Sequence, residues 1–177
     1  MLLVLLFCEV IIMFRAGDTV MYGTFGICRV ESVEKRDFLG EEKEYYVLRH
    51  VASEKNTFYV PVDNEATVRT MHRVCSREEV DGLIEYMNSA EPIWSDNEMK
   101  RKEEFSRIIR DGDRKELISL IRALYIHRKE VARAGKKLHS SDLNYLSLAE
   151  NMLFEEFAYA LGIERSEVVS YIEDRIA

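Results

Sequence analysis

The hydrophobic rhythm of the chain changes once, near residue 75. Before that point, Ile27-Cys28-Arg29-Val30-Glu31-Ser32-Val33-Glu34 alternates apolar and polar residues with a period of two, the pattern of a strand with one buried and one wet face. A shorter run, Thr19-Val20-Met21-Tyr22, precedes it across Gly23-Thr24-Phe25-Gly26. After the turn signal Phe38-Leu39-Gly40-Glu41, residues 45–49 read as a third strand and 57–61 as a fourth across a polar tip at 53–56. Residues 66–71 supply a fifth. Five short strands with glycine turns imply a small bent antiparallel sheet or open barrel. Pro61 cannot donate to a ladder and belongs at a strand end or an edge. An open barrel keeps such an edge, which is a place for a partner strand.

Beyond residue 75 the period lengthens to that of helices. Ser76 with Glu79 forms a capping-box signature, and Val80, Leu83, Ile84 and Met87 follow at helical spacing, so the pattern predicts a helix over 77–88. Ser95 with Glu98 repeats the signature, with Trp94 and Met99 in the two positions of a hydrophobic staple. The helix it opens, about 96–110, turns Phe105, Ile108 and Ile109 inward and Lys100, Arg101, Arg107 and Arg110 outward, and Gly112 ends it. Asp113 and Glu116 cap the next, which carries the stripe Leu117, Leu120, Ile121, Leu124 and Tyr125. Ser140 or Ser141 opens a long helix that Gly162 stops, and a last helix covers about 164–176. Short links between them imply a compact bundle. The expected fold class is therefore α+β, with a bent antiparallel sheet over 13–75 and a helical bundle over 76–177.

Residues 1–12, Met-Leu-Leu-Val-Leu-Leu-Phe-Cys-Glu-Val-Ile-Ile, form an apolar segment of a different kind. No basic residue precedes it, no small-x-small cleavage site follows, and it is far shorter than the roughly 20 residues a membrane span needs. We read it as an extension upstream of a domain that starts at Met13, consistent with a misplaced start codon.

Charge sharpens the picture. The net charge is -7, yet residues 100–142 hold 13 Lys and Arg against 7 Asp and Glu, flanked by acidic segments. A positive stripe on an acidic protein favours local, site-dependent phosphate contact over general nucleic-acid binding. Trp94, the only tryptophan, stands just before Lys100, Arg101 and Lys102, and Lys136 and Lys137 sit in a second basic loop. A large ring beside concentrated positive charge is a candidate DNA contact; a staple that plugs the seam between the two halves is the other role open to Trp94. The three cysteines have no CxxC spacing, His50 and His72 have no nearby nucleophile, and no GxGxxG or P-loop occurs. The expectation is a non-enzymatic cytoplasmic protein without cofactor, metal, membrane anchor or small-molecule substrate.

Phe14-Arg15-Ala16-Gly17-Asp18-Thr19-Val20-Met21-Tyr22 followed by Gly26, then Leu39-Gly40-Glu41, Glu44-Tyr45-Tyr46-Val47-Leu48 and Val60-Pro61-Val62, resembles the opening domain of the CarD/CdnL family of bacterial transcription regulators. Arg107, Gly112-Asp113, Arg122-Ala123-Leu124-Tyr125, Leu138-His139-Ser140-Ser141-Asp142 and Glu156-Phe157-Ala158-Tyr159-Ala160 resemble that family's helical domain in order and spacing. The resemblance implies a Tudor-like domain, shared with the transcription-repair coupling factor, that docks on the RNA polymerase β subunit partly by strand pairing. It also implies a helical domain whose Trp wedges into promoter DNA at the upstream edge of the bubble. Carried over, Arg36 and Tyr59, with Arg29 and Phe58 beside them, are the polymerase-binding candidates. Trp94 is the wedge, and Lys100, Arg101, Lys102, Lys136 and Lys137 approach phosphates. The alternative is a protein-protein scaffold on polymerase without direct DNA contact.

Overall fold

The structure, a computed structural model, describes residues 14–38 and 40–176. The apolar segment 1–12 and Leu39 of the first hairpin turn lie outside the described residues. Strands β1 (Thr19–Tyr22), β2 (Ile27–Asp37), β3 (Glu42–His50), β4 (Ser53–Pro61) and β5 (Met71–Arg73) form one antiparallel sheet in the order β4-β3-β2-β1-β5. The sheet is open, with β4 and β5 at its edges. The alternation read in β2 is real but interrupted: the register with β3 shifts between Val30 and Ser32, a bulge that bends the long hairpin. On the inner face Val20, Val30, Tyr46, Leu48 and Val60 are almost fully buried, and Phe14 packs edge-on against Tyr46.

Two expected strand features move. Residues 53–56 belong to β4 and not to a tip; the chain turns at Val51 and Ala52 instead. Residues 66–71 split into a one-turn helix α1 (Glu65–Val68) and the short β5, because the Asn64 side chain accepts from the Thr67 backbone N–H and closes a turn.

The helices are α2 (Arg77–Ser89), α3 (Glu98–Asp111), α4 (Arg114–Arg133), α5 (Ser140–Leu161) and α6 (Val168–Glu173). The capping box of Ser76 and Glu79 on α2 and the Asp113 cap of α4 form as the pattern predicts. Gly112 and Gly162 end α3 and α5 in the left-handed region that glycine adopts without strain. Four details differ. Asn97, not Ser95, caps α3; Met99 is 73% exposed, so no staple to Trp94 forms. His139, not a serine, caps α5. The last helix shrinks to a 3-10 turn at Arg165–Glu167 followed by α6.

Helices α4 and α5 are the spine. Ile118, Leu153 and Phe157 join α2 and α6 in one core, while Leu120, Leu124 and Met152 join α3 in another. Met21 and Ile27 of the sheet reach into this second core, so sheet and helices share buried surface. Each fully buried Leu, Ile or Phe there contributes about 1.5–3 kcal/mol. Among the described residues no helix is long and apolar enough to cross a membrane.

Candidate partner-binding edge and nucleic-acid interface

The free edge of the sheet follows from its register. Val62 donates its N–H to the Glu44 carbonyl at 2.9 Å, so the hydrogen-bonded pairs of the β3/β4 ladder are 44/62, 46/60 and 48/58. The intervening residues Thr57 and Tyr59 turn their backbone N–H and C=O away from β3. Pro61 occupies the same outward set, where its missing N–H costs no ladder bond. No strand among the described residues pairs with this side of β4.

The sheet face away from the core carries an aromatic cluster contiguous with that edge. Phe38 meets Tyr45 at 5.0 Å and Tyr59 at 5.2 Å between ring centroids, and the Arg36 guanidinium lies 5.9 Å from the Tyr59 ring. Phe38 and Tyr59 are 52% and 44% exposed. Arg36 is steadied by Glu34, with N···O distances of 2.5 and 2.9 Å. Arg36 and Tyr59 thus come together as one surface. Arg29 lies exposed on the same face, opposite Arg49 and farther from the hairpin tip. Phe58 does not join them: it points to the opposite face, against Tyr22 and Phe25, because neighbouring residues of a strand face opposite ways.

Trp94 sits at the far end of the helices, half-buried. It packs on the core beside Phe105, the His127 imidazole lies tilted against it at 4.1 Å between ring centroids, and its Nε1–H donates to Asp96 Oδ1 at 3.1 Å. The Arg101 guanidinium lies over the indole at 4.5 Å. Arg101, expected to approach phosphate, is engaged within the protein. Its side chain is only 11% exposed, donates to the Ser95 carbonyl, and pairs with the buried Asp142 at 3.4 Å. Lys102 is also engaged, 2.6 Å from Glu98. Lys100, Lys136 and Lys137 are exposed and have no ion-pair partner among the described residues.

These cations share one end of the molecule. The Arg101–Asp142 pair pins the start of α3 to the start of α5, and Leu138 of the basic loop is buried in the same core that Trp94 covers. Lys102 first, then His139 and Arg101, hold the Glu98 carboxyl below its usual range. Sequence reasoning missed Asp142 and His127, which fix Arg101 and the indole. The one local hint was an acid in the first turn of α5, a position that dipole energetics alone explains.

Among the described residues no group of three His, Cys, Asp or Glu could hold a metal. Burial pushes the Cys28 and Cys75 thiols up to about 11 and about 12, which keeps both protonated and unreactive near neutral pH.

Comparison with known proteins agrees along almost the whole chain. Residues 14–74 match the family model described as CarD-like/TRCF RID domain, and residues 82–173 match that described as CarD, C-terminal domain. A Bacillus subtilis (strain 168) protein named "Putative transcription factor YdeB" is 24% identical over 162 residues, covering 90% of this chain and 99% of its own length.

Proposed function

This chain belongs to the CarD family of transcription regulators, and from that premise we propose that it anchors to the RNA polymerase β subunit by its sheet edge and stabilises the promoter open complex with Trp94. The observation that carries the reading is the pairing of two surfaces in one molecule. An open β4 edge with an Arg36–Tyr59 aromatic face lies in the sheet, and a half-exposed indole with unpaired lysines lies at the end of the helices.

A partner strand adding to β4 gains main-chain hydrogen bonds, while Tyr59, Phe38 and Arg36 supply side-chain selectivity. An indole wedged between base steps costs unstacking, so it acts where DNA is already distorted, as at the upstream edge of a bubble. Lys100, Lys136 and Lys137 hold phosphates and position the wedge without reading sequence. Intrinsic DNA affinity need not be high, because tethering to polymerase raises the effective concentration. Arg101 and Lys102 take a supporting role, Arg101 as the platform beneath the indole. In this reading residues 13–75 form the anchor and 76–177 the DNA-facing part, and the protein works in the cytoplasm without cofactor or catalysis.

A second reading, a scaffold on polymerase with no DNA contact, is favoured by the number of groups holding Trp94 in place and by the Glu98 pairing of Lys102. Two binding measurements separate them. Arg36→Glu should weaken binding to a purified β fragment while wild type binds. Forked promoter DNA should bind in a salt-dependent way that is lost when Lys100, Lys136 and Lys137 are neutralised. Absence of any salt-dependent DNA binding would leave the scaffold; equal β binding by Arg36→Glu would remove the anchor face.

A further inference from the structure

The surface proposed for polymerase lies on β2 to β4 and that proposed for DNA lies at the starts of α3 and α5, so their separation depends on how the sheet is fixed to the helices. That seam contains a charged side chain with no role at either surface. Glu156 on α5 is 4% exposed, an unusual place for a carboxylate, which is costly to bury unless paired. It receives Arg114 of α4 through Nε and Nη2, at 3.1 and 2.7 Å to Oε1, and accepts the Cys75 backbone N–H at 3.0 Å. Arg114 Nη2 also donates to the Arg73 carbonyl at the end of β5. One ion pair therefore grips the segment 73–75, where the sheet passes into the helices.

The neighbouring residue closes a second grip on the other side. Glu155 lies 3.4 Å from the Ile27 backbone N–H at the start of β2 and 3.8 Å from His50 Nε2. It fits there because Gly26, at a φ of +90°, has no side chain: a Cβ would stand 2.6 Å from Glu155 Oε1. His72 of β5 and the Asp111 carbonyl, 2.7 Å apart, add a third tie.

We propose that Glu156, with Arg114 and the adjoining Glu155–Gly26 contact, is a positioning clamp that fixes the distance between the polymerase-binding edge and the DNA-facing indole. The inference rests on the polymerase-and-DNA reading for its functional consequence but not for its geometry. An apolar residue would fill the site at lower desolvation cost; the ion pair instead sets a single orientation of three elements. Without the clamp the two contacts are joined by a looser link, and the tethering advantage falls because the indole no longer meets the bubble edge in register.

The test uses the full chain with its single Trp94 as energy donor and an acceptor dye on Thr57→Cys in a Cys8→Ser background. Cys28 and Cys75 are buried and stay unlabelled. Wild type should give one narrow donor-acceptor distance distribution, and Glu156→Gln and Gly26→Ala should each broaden it with far-UV circular dichroism unchanged. In parallel, without dye, both variants should bind the β fragment as wild type does but lose about tenfold in their effect on promoter-complex lifetime. Should Glu156→Gln fail to fold, Arg114→Lys, which keeps the charge but loses the fork to Glu156 and the Arg73 carbonyl, takes its place with the same expected broadening. An unbroadened distribution overturns the clamp. So does a broadened one with full lifetime effect. If wild type itself has no effect on lifetime, the functional reading fails, while the distance measurement still decides the geometry.

Discussion

Replacing Asp142 with Ala should cost the protein a large part of its stability, and the size of the loss decides what Arg101 is for. Asp142 is 1% exposed and its Oδ2 lies 3.4 Å from Arg101 Nη2. Asp142 Oδ1 and Arg101 Nε are buried without a hydrogen-bond partner among the described residues, so the pair is not fully satisfied. Three effects compete. The cation–π contact with Trp94 is worth about 0.5–2 kcal/mol and survives the substitution. Loss of an acid at the start of α5 costs about 0.3–1 kcal/mol. Leaving the Arg101 cation buried and unpaired costs about 3–5 kcal/mol and dominates. The long N···O distance points to the lower end, about 3 kcal/mol, which for a urea m-value of about 1–3 kcal/mol/M lowers the midpoint by about 1–3 M. Replacing both partners, Arg101→Met with Asp142→Leu, removes the buried charge altogether and should stay within about 1 kcal/mol of wild type. Urea unfolding followed by Trp94 fluorescence reads all three proteins. A loss below about 1 kcal/mol for Asp142→Ala would be that of an exposed pair; Arg101 would then be free to meet phosphate, and its assignment as the indole's platform would be wrong.

The acid limb of stability should depend on Asp18. The Arg15 backbone N–H, 2.8 Å away, and then Arg73 hold its carboxyl below the ordinary 3.8. Because the folded value is the lower one, its contribution is complete above 3.8 and is lost as pH falls through the folded value. Asp18→Asn should therefore be less stable at pH 7 yet show a shallower decline below about pH 4, and parallel pH curves would contradict this. Gly112→Ala places a Cβ 3.2 Å from His72 Nε2 in a left-handed backbone. At about 1–2 kcal/mol for the conformation alone, the melting temperature should fall by about 2–8 °C; an unchanged melt would mean that the α3–α4 turn relaxes freely.

Local chemistry decided which parts of the fold were legible. The β2 alternation, the Ser76–Glu79 box and the α4 stripe each depend on neighbours within a turn or a strand, and the structure contains all three. Residues 53–56, Ser-Glu-Lys-Asn, looked like a turn because their composition is polar throughout and carries no alternation. Ser95 and Asn97 were both competent caps for α3; nothing local said that the Ser95 carbonyl would be taken by Arg101. The candidate site was legible as composition: Trp94, the lysines after it, and the loop 134–139. What each residue does there depends on Asp142 and His127, which lie far along the chain and are joined to it only by packing. Phe58 parts from its neighbour Tyr59 for the opposite reason, since one step along a strand reverses the face.

Promoter-complex lifetime, measured after challenge with a competitor DNA, tests the central claim most directly. With polymerase and a responsive promoter, the wild-type protein should lengthen the lifetime. Trp94→Ala, still folded and still bound to the β subunit, should not. A Trp94→Ala protein that lengthens the lifetime as wild type does would contradict the wedge.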